Sequence, residues 1–207
     1  GGTWLLSRAP AAVGAYLGLT GEAMRAADAI FAGFADVFVG SPNIGRMVER
    51  LVDPGGGSVV EIIGSVAGNP GPSMLANRRT DIDQGFSADT VEAMLSTLSA
   101  APGEWAQTTV TTLAQKSPKS LKLTLAAIRN ARHLASLEHA LNVEYRLCVR
   151  LFEDGEFIEG VRALIVDKDR QPKWSPARLQ DVMPQLIAAY VAPLAPQEEL
   201  GLEPAQG

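Results

Sequence analysis

Cysteine is almost absent from this sequence. Cys148 is the only one among 207 residues, so no internal disulfide can form and a reducing compartment is expected. Long apolar runs are missing too: no window holds 18 consecutive apolar residues, and no charged-then-apolar signal stands at the N-terminus. The sequence therefore predicts neither a membrane span nor a secretory segment, and we expect no membrane partner.

Positive charge is also in short supply. The 18 Lys and Arg residues are outnumbered by 23 Asp and Glu residues, which gives a net charge of −5. This balance argues against nucleic acid as the main partner. Apolar residues make up 46% of the chain, and at this length roughly 70% of the unfolded surface can be buried. The composition is typical of a globular protein with its own core.

Apolar residues recur at helical spacing nearly throughout the chain. The clearest exception is Asp36–Val39, which predicts a short buried strand, whereas Val59–Ile63 is β-branched but too short to assign. Asp89 with Glu92 predicts a capping box, and Ser117–Pro118 predicts a helix start. Helices are predicted near residues 10–20, 24–31, 41–51, 91–98, 105–113, 121–128, 137–152, 157–165 and 184–191.

The sequence "KSPKS" marks a change of character, because helices follow it with no strand between them. We therefore divide the chain into a core part at 1–116, a helical region at 117–192 and a Pro/Glu-rich tail at 193–207 that we expect to be disordered. The whole chain is expected to be predominantly helical.

The sequence contains only two histidines, which limits the metal sites and acid-base pairs that it can form. His133 and His139, near Glu138 and Glu144, lie six positions apart and do not share a helix face, so no metal site is predicted. The D-x-D pattern in "TDIDQG" lacks the remaining calcium ligands, "PGGGS" lacks the Lys-Ser/Thr of a phosphate loop, and no G-x-S-x-G elbow occurs. Composition and spacing alone name no catalytic residue.

A cluster of cations follows a helix whose apolar face, formed by Phe157, Val161, Leu164 and Ile165, is expected to be docked against the rest of the protein. Lys168, Arg170 and Lys173 form this cluster. One interpretation is that cations near a helix C-terminus simply complement the helix dipole, each contributing about 0.3 to 1 kcal/mol. The other is an anion site such as a phosphate site. The residues by themselves favour the dipole interpretation, since a charge cluster is weak evidence.

The same region carries a family resemblance. "EFIEGVRALIVDKDRQPKWSPARLQDV", residues 156–182, resembles the C-terminal signature of 3-hydroxyisobutyryl-CoA hydrolases, a branch of the crotonase (enoyl-CoA hydratase/isomerase) superfamily. Glu156 stands where the family usually has aspartate. Residues 1–39 resemble the middle of these enzymes, and "IDQGFSADTVEAMLSTL", "SPKSLKLTLAAIR" and "SLEHALNVEYRL" resemble later segments in the same order.

The resemblance implies an α/β crotonase-like fold, of which this chain is the C-terminal part of the spiral core followed by a mostly α-helical C-terminal region. It implies acyl-CoA thioester hydrolysis in valine catabolism, with the catalytic acids upstream of Gly1. We therefore expect no catalytic residue within the chain, no turnover by the isolated chain, and a missing N-terminal half as its partner, with a homo-oligomer as a further expectation. The expected location is a bacterial cytoplasm, or a mitochondrion in a eukaryote.

The resemblance also implies substrate-binding residues. Gly1 and Gly2 lead into a helix whose Trp4 and Leu5 wall an acyl pocket. Phe157 matches an aromatic near the pantetheine or acyl end, with buried packing as the alternative, and Lys168 matches a lysine that contacts a CoA phosphate. Coenzyme A belongs to the substrate, so no separate cofactor is expected.

Two further functions stay open. One is hydratase or isomerase chemistry on an enoyl-CoA; the other is a non-catalytic module that binds CoA or assembles with a partner chain. The module would be favoured if the first strand and helices carried a large exposed apolar surface.

Overall fold

The structure is a computed structural model that describes residues 1–53 and 55–204, and most of these residues are helical. Pro54, in the predicted glycine-rich break, and residues 205–207, at the end of the predicted tail, lie outside the described residues. The elements are α1 Gly2–Arg8, α2 Val13–Thr20, α3 Ala26–Phe31, α4 Ser41–Val52, α5 Val59–Val66, α6 Met74–Asn77, α7 Arg79–Phe86, α8 Val91–Ala100, α9 Glu104–Ala114, α10 Pro118–Ala131, α11 Leu137–Glu153, α12 Glu156–Val161, a π-helical segment Arg162–Val166, a 3-10 turn Leu179–Asp181 and α13 Pro184–Val191.

The chain forms two compact units. One comprises Gly1–Glu22 together with the chain from Ile82 onward, and the other is Ala23–Asp81. The division predicted at residue 117 does not coincide with a boundary of these units. Helices α1 and α2 precede residue 117 but pack on each other and on α10, which follows it. No helix in the described ranges combines the length and apolar character that a membrane crossing needs.

Helix α10 is central to the first unit, where it contacts α1, α2, α11 and α13. It begins as predicted: the Ser117 hydroxyl accepts a hydrogen bond from the Ser120 amide (3.0 Å), and Pro118 occupies the first turn. A glycine allows α1 and α2 to approach closely, since a Cβ on Gly14 would lie 1.8 Å from the Leu6 carbonyl oxygen. The fully buried side chains of this unit include Val13, Ile82, Phe86, Val91, Met94, Leu98, Leu113, Leu123 and Ile128.

Helices α11 and α13 pack against α10 around an apolar cluster centred on Leu123, Ala127, Leu147 and Tyr190. Arg150 of α11 ties down the end of α13, because its guanidinium donates to the carbonyl oxygens of Tyr190 and Ala192 (2.8 Å each). The position of α13 is thus set by backbone contacts as well as by apolar packing.

The described part of the chain after α13 runs along α11. Arg146 Nε donates to both carboxylate oxygens of Glu199 (2.9 and 3.0 Å), and the Leu202 amide donates to Asn142 Oδ1 (3.0 Å). A hydrogen bond between an ionised donor and an ionised acceptor is stronger than one between neutral groups. The described part of the segment predicted to be a disordered tail is thus held by side chains of α11.

The second unit shows why the predicted strand at Asp36–Val39 is wrong. Within the described residues, only Val39 of this segment pairs, through one antiparallel bridge to Ala67. The nearby β-branched stretch Val59–Ile63 offers no strand partner because it forms α5, whose start is fixed by a reciprocal capping box between Ser58 and Glu61.

Two other local features complete the fold. The capping box predicted for Asp89 and Glu92 is wrong: the N-cap of α8 is Thr90, whose hydroxyl accepts a hydrogen bond from the Ala93 amide at 3.1 Å. In the second unit, buried Asp28 accepts hydrogen bonds from Ser73 Oγ (2.8 Å) and the Leu75 amide (3.0 Å), which fixes α6 against α3.

Candidate functional site

The segment that carries the family signature forms one side of a cavity of about 700 Å³ in the first unit. We call it the α12 cavity. Its wall is mainly apolar and includes Leu151, Phe157, Val161, Leu164, Ile165 and Trp174; its polar lining is Gln115, Lys116, Ser120, Glu156 and Arg170. A cavity of this size with an apolar lining and a few polar groups is typical of a small-molecule site.

The cavity wall owes its shape to an irregular helix. Gly155, with φ of 81°, lets the chain turn between α11 and α12. After Val161 the helix widens into the π-helical segment, in which the Asp167 amide donates to the Arg162 carbonyl oxygen (2.8 Å), five residues back. π-helical turns are rare and occur frequently at functional sites.

The widened turn changes which side chains are covered. The apolar face at Phe157, Val161, Leu164 and Ile165 was expected to be docked, yet Phe157, Leu164 and Ile165 are exposed in this structure. All of these side chains contribute to the cavity wall. The expectation of a docked face is therefore wrong. Leu164 and Ile165 lie in the π-helical turn, through which regular α-helical spacing does not hold, and Phe157 lies in the regular helix before it.

A polar cluster, buried except at Asp154, lies beside the cavity where α10, α12 and α13 meet. It consists of Ser117, Lys119, Asp154, Glu156 and Tyr190, and we call it the Lys119 cluster. The Lys119 ammonium binds Asp154 and lies 3.4 Å from Glu156 Oε2. The Ser117 hydroxyl donates to Glu156, and the Tyr190 hydroxyl donates to Asp154. One cation thus pairs with two carboxylates, and one of these, Glu156, also lines the cavity.

The electrostatics of this cluster favour its charged form. Burial alone would lower the pKa of Lys119, but the hydrogen bond to Asp154 and the attraction of Glu156 outweigh burial and raise it. Burial, together with the hydrogen bond donated to Asp154, raises the pKa of Tyr190 to about 12. Lys119 is therefore a cation and Tyr190 a neutral donor across the physiological range.

The predicted binding residues fall into two groups. Phe157 lines the α12 cavity, whereas Lys168 is exposed in the loop after the π-helical segment and is not part of the cavity wall. Arg170, two residues further on, does line the cavity, as does Pro172. The loop that the sequence singled out for its cations therefore borders the cavity through Arg170.

The other predicted binding residues lie on and before α1. Gly1, Gly2, Trp4 and Leu5 do not line the α12 cavity. Trp4 lies under the Arg8 guanidinium, 3.1 Å from the ring centroid, and the Leu5 side chain is exposed. Helix α1 is therefore a second location, separate from the cavity wall.

Glu144 of α11 fixes the start of α1. Its carboxylate accepts hydrogen bonds from the Gly1 nitrogen (2.5 Å), the Thr3 amide (2.7 Å) and the Thr3 hydroxyl (2.6 Å). A carboxylate at a helix N-terminus also complements the helix dipole. Glu144, weighed from the sequence as a metal ligand, here holds a helix start.

The histidines form no metal site in the structure. His133 and His139 are both exposed, and His139 Nδ1 lies 2.9 Å from Ser136 Oγ. Among the residues that the structure describes, no three His, Cys, Asp or Glu side chains come close enough to hold an ion.

Sequence reasoning missed Lys119, Asp154 and Trp174. The sequence signal for Lys119 was its position in the first turn of a predicted helix. A cation there interacts unfavourably with the helix dipole, so it needs a carboxylate partner. Trp174 lies against α12, where a Cβ on Gly160 would be 3.3 Å from its ring. The indole nitrogen of Trp174 is buried without a hydrogen-bond partner among the described residues.

Comparison with known proteins assigns the chain to a family. The profile of the enoyl-CoA hydratase/isomerase family matches residues 1–191. A protein of Xenopus tropicalis named 3-hydroxyisobutyryl-CoA hydrolase, mitochondrial, is 34% identical, covering 94% of this chain and 52% of that protein. The small ribosomal subunit protein mS47 of Arabidopsis thaliana is also 34% identical, covering 93% of this chain and 50% of that protein.

A solved structure agrees with these similarities. The carnitinyl-CoA dehydratase of Mycobacterium thermoresistibile superposes with a TM-score of 0.86 at 36% identity, covering 94% of this chain and 55% of that one. The chain spans about half the length of the curated relatives it matches. The resemblance to 3-hydroxyisobutyryl-CoA hydrolases is confirmed, and the chain belongs to the enoyl-CoA hydratase/isomerase (crotonase) family.

Proposed function

We propose that residues 1–207 are the C-terminal half of an acyl-CoA thioester hydrolase that acts on 3-hydroxyisobutyryl-CoA in valine catabolism. The observation that carries the proposal is the α12 cavity. The segment resembling the hydrolase signature supplies most of its apolar wall and the guanidinium of Arg170. An acyl-CoA is complementary to such a cavity, because it combines an apolar acyl and pantetheine chain with an anionic end.

Each part of the cavity has a role in this proposal. Phe157 and Leu164 contact the apolar part of the substrate through exposed side chains that need no rearrangement. Arg170 faces the anionic end, with Lys168 on the same loop. Arginine suits phosphate because its planar fork donates two parallel hydrogen bonds.

The reaction itself is assigned to groups outside residues 1–207. Water adds to the thioester carbonyl, the C–S bond breaks, and a carboxylic acid and the thiol of CoA are released. The family resemblance implies that acidic residues upstream of Gly1 activate the water and that backbone N–H groups stabilise the oxyanion, each donor contributing about 2.7–4 kcal/mol. Helix α1, held by Glu144 at Thr3, follows those acids in the chain. We therefore propose no catalytic residue here.

Thiol release from 3-hydroxyisobutyryl-CoA tests the proposal. The full-length protein is expected to release CoA thiol, while the 207-residue chain alone is expected to release none above background. Failure of the full-length protein to hydrolyse this ester would overturn the proposal. A parallel assay with crotonyl-CoA, followed by loss of the enoyl absorbance, identifies hydratase chemistry, which the solved dehydratase relative makes the natural alternative reaction.

A second candidate function is assembly without catalysis. It is favoured by the similarity to a small ribosomal subunit protein. Under this function the chain packs its exposed apolar side chains against a partner, and the α12 cavity binds no thioester. Co-sedimentation of the full-length protein with small ribosomal subunits, combined with no hydrolysis of any acyl-CoA, would select this function over the first.

A further inference from the structure

Arg162, the first residue of the π-helical segment, makes an unusual number of contacts for a side chain near the surface. Its guanidinium donates two hydrogen bonds to Glu159 (2.8 Å each) and one each to Asp167 (2.6 Å) and Asp169 (2.7 Å). It also donates to the Gln171 carbonyl oxygen (3.1 Å). One cation therefore joins α12 to both ends of the loop 167–173, which we call the cationic loop.

The cationic loop depends on such contacts because its backbone is not relaxed. Lys168 and Arg170 have φ values of 55° and 56°, in the left-handed region that non-glycine residues rarely adopt. The Arg170 amide donates to the Ala163 carbonyl oxygen (3.0 Å), and the Lys173 amide donates to Glu159 Oε1 (2.6 Å). Since Glu159 is itself held by Arg162, the far end of the loop is also tied to the guanidinium.

The same contacts separate the charges of the loop. The carboxylates of Glu159, Asp167 and Asp169 all face Arg162. Within the described part of the chain, no carboxylate forms an ion pair with Lys168 or Arg170, which are both exposed. The loop therefore pairs its negative groups with one guanidinium and leaves Lys168 and Arg170 available to an external anion.

We infer that Arg162 is a positioning residue: its guanidinium holds the cationic loop in the conformation that places Arg170 at the α12 cavity, and binding of the anionic end of a CoA ester depends on that hold. The inference rests on the proposed function for its ligand. The other part of the inference, that the loop conformation depends on Arg162, rests on the contacts alone.

Lysine cannot replace arginine in this role. Four acceptor groups surround the planar fork of Arg162, and an ammonium keeps the charge but cannot donate in parallel to both oxygens of Glu159 while reaching the loop. Arg162→Lys therefore releases the loop without changing the net charge. Arg178→Lys is the matched control, because Arg178 makes a bidentate contact with Asp181 (2.7 and 2.9 Å) away from the loop.

The experiment compares wild type, Arg162→Lys and Arg178→Lys in the full-length protein by two measurements. The first is amide hydrogen exchange at Arg170 and Lys173. The second is the affinity for free coenzyme A by titration calorimetry, with KM and kcat for 3-hydroxyisobutyryl-CoA. For Arg162→Lys we expect exchange at both amides to quicken and Kd and KM to rise by about tenfold with kcat unchanged. Arg178→Lys is expected to match wild type in both.

Each outcome decides one half of the inference. Unchanged exchange in Arg162→Lys overturns the hold on the loop. Faster exchange with unchanged CoA affinity overturns the dependence of binding on that hold. An equal fall in kcat and in affinity indicates general damage and also overturns the positioning role. A wild-type protein that binds no CoA defeats the proposed function and with it the ligand half of the inference, while the exchange data still decide the loop.

Discussion

The Lys119 ammonium lies 3.4 Å from Glu156 Oε2, and the two side chains are only 6% and 5% exposed. Glu156 also lines the α12 cavity, so this pair connects the packing of α10 to the wall of the candidate site. Charges removed from water in this way are costly unless they remain paired.

Replacement of Lys119 by methionine is expected to destabilise the protein by about 3–5 kcal/mol. The substitution preserves most of the side-chain volume but leaves the carboxylates of Asp154 and Glu156 without their cation. Denaturant unfolding of the full-length protein measures the loss. Lys122→Met on the same helix is the control: Lys122 pairs with Glu92 at 2.6 Å in a more exposed position, and about 1 kcal/mol or less is expected there. Equal losses in the two variants would contradict the importance of burial.

Gly14→Ala is expected to cost about 1–3 kcal/mol or more of unfolding free energy, because the added methyl would meet the Leu6 backbone of α1 and force the two helices apart. Gly45→Ala in α4 is the control. Its Cβ would meet nothing within 4 Å, so the variant is expected to gain up to about 1 kcal/mol from helix propensity. Thermal or denaturant unfolding of both variants checks the opposite signs, and a stable Gly14→Ala protein would contradict the close approach of α1 and α2.

Phe157→Ala is expected to raise KM for the acyl-CoA about tenfold while kcat and stability change little. The side chain is 60% exposed and lines the cavity, so a role in the core no longer accounts for it. Phe152 is a matched control, since its ring lies 6.4 Å from that of Phe157 and is 59% exposed, yet does not line the cavity. If Phe152→Ala raised KM as much as Phe157→Ala, the effect would not belong to the cavity.

The carboxyl group of Glu159 is expected to titrate near pH 2. Hydrogen bonds from Arg162 and from the Lys173 amide lower its pKa from 4.5 to about 2. Because the folded pKa lies below the unfolded one, the stabilisation is fully present above pH 4.5 and is lost as the pH falls towards 2. NMR titration of the carboxyl carbon measures the midpoint, and Arg162→Lys is expected to move it back towards 4.5. A wild-type midpoint near 4.5 would show that the contacts with Arg162 are not maintained in solution.

Local signals in the sequence predicted much of the helical architecture. Ser117 and Pro118 set the start of α10 through a side-chain hydrogen bond to the backbone and a fixed backbone angle. Such effects involve only neighbouring residues, so they can be predicted from the sequence. The strand at Asp36–Val39 failed for the opposite reason. A strand needs a partner, and the segment finds only Ala67 for a single bridge.

The candidate site was predictable only in part. Phe157 and the cationic cluster were singled out from the sequence, and the structure places Phe157 and Arg170 at one cavity. The Lys119 cluster could not be found in this way, because Lys119 and Asp154 are 35 residues apart and meet only through the packing of helices. Family resemblance identified the protein class and singled out Lys168, whereas the loop cation that lines the cavity is Arg170.

The π-helical segment bears on any residue-by-residue comparison with relatives. A turn closed by a hydrogen bond over five residues instead of four holds one extra residue. In a residue-by-residue comparison, a relative with a regular helix here is therefore shifted by one position after the turn. Lys168, which the resemblance matches to a CoA-binding lysine, lies just beyond the widened turn. Equivalence in this region is therefore better judged by superposed positions than by residue count, and in space it is Arg170 that borders the cavity.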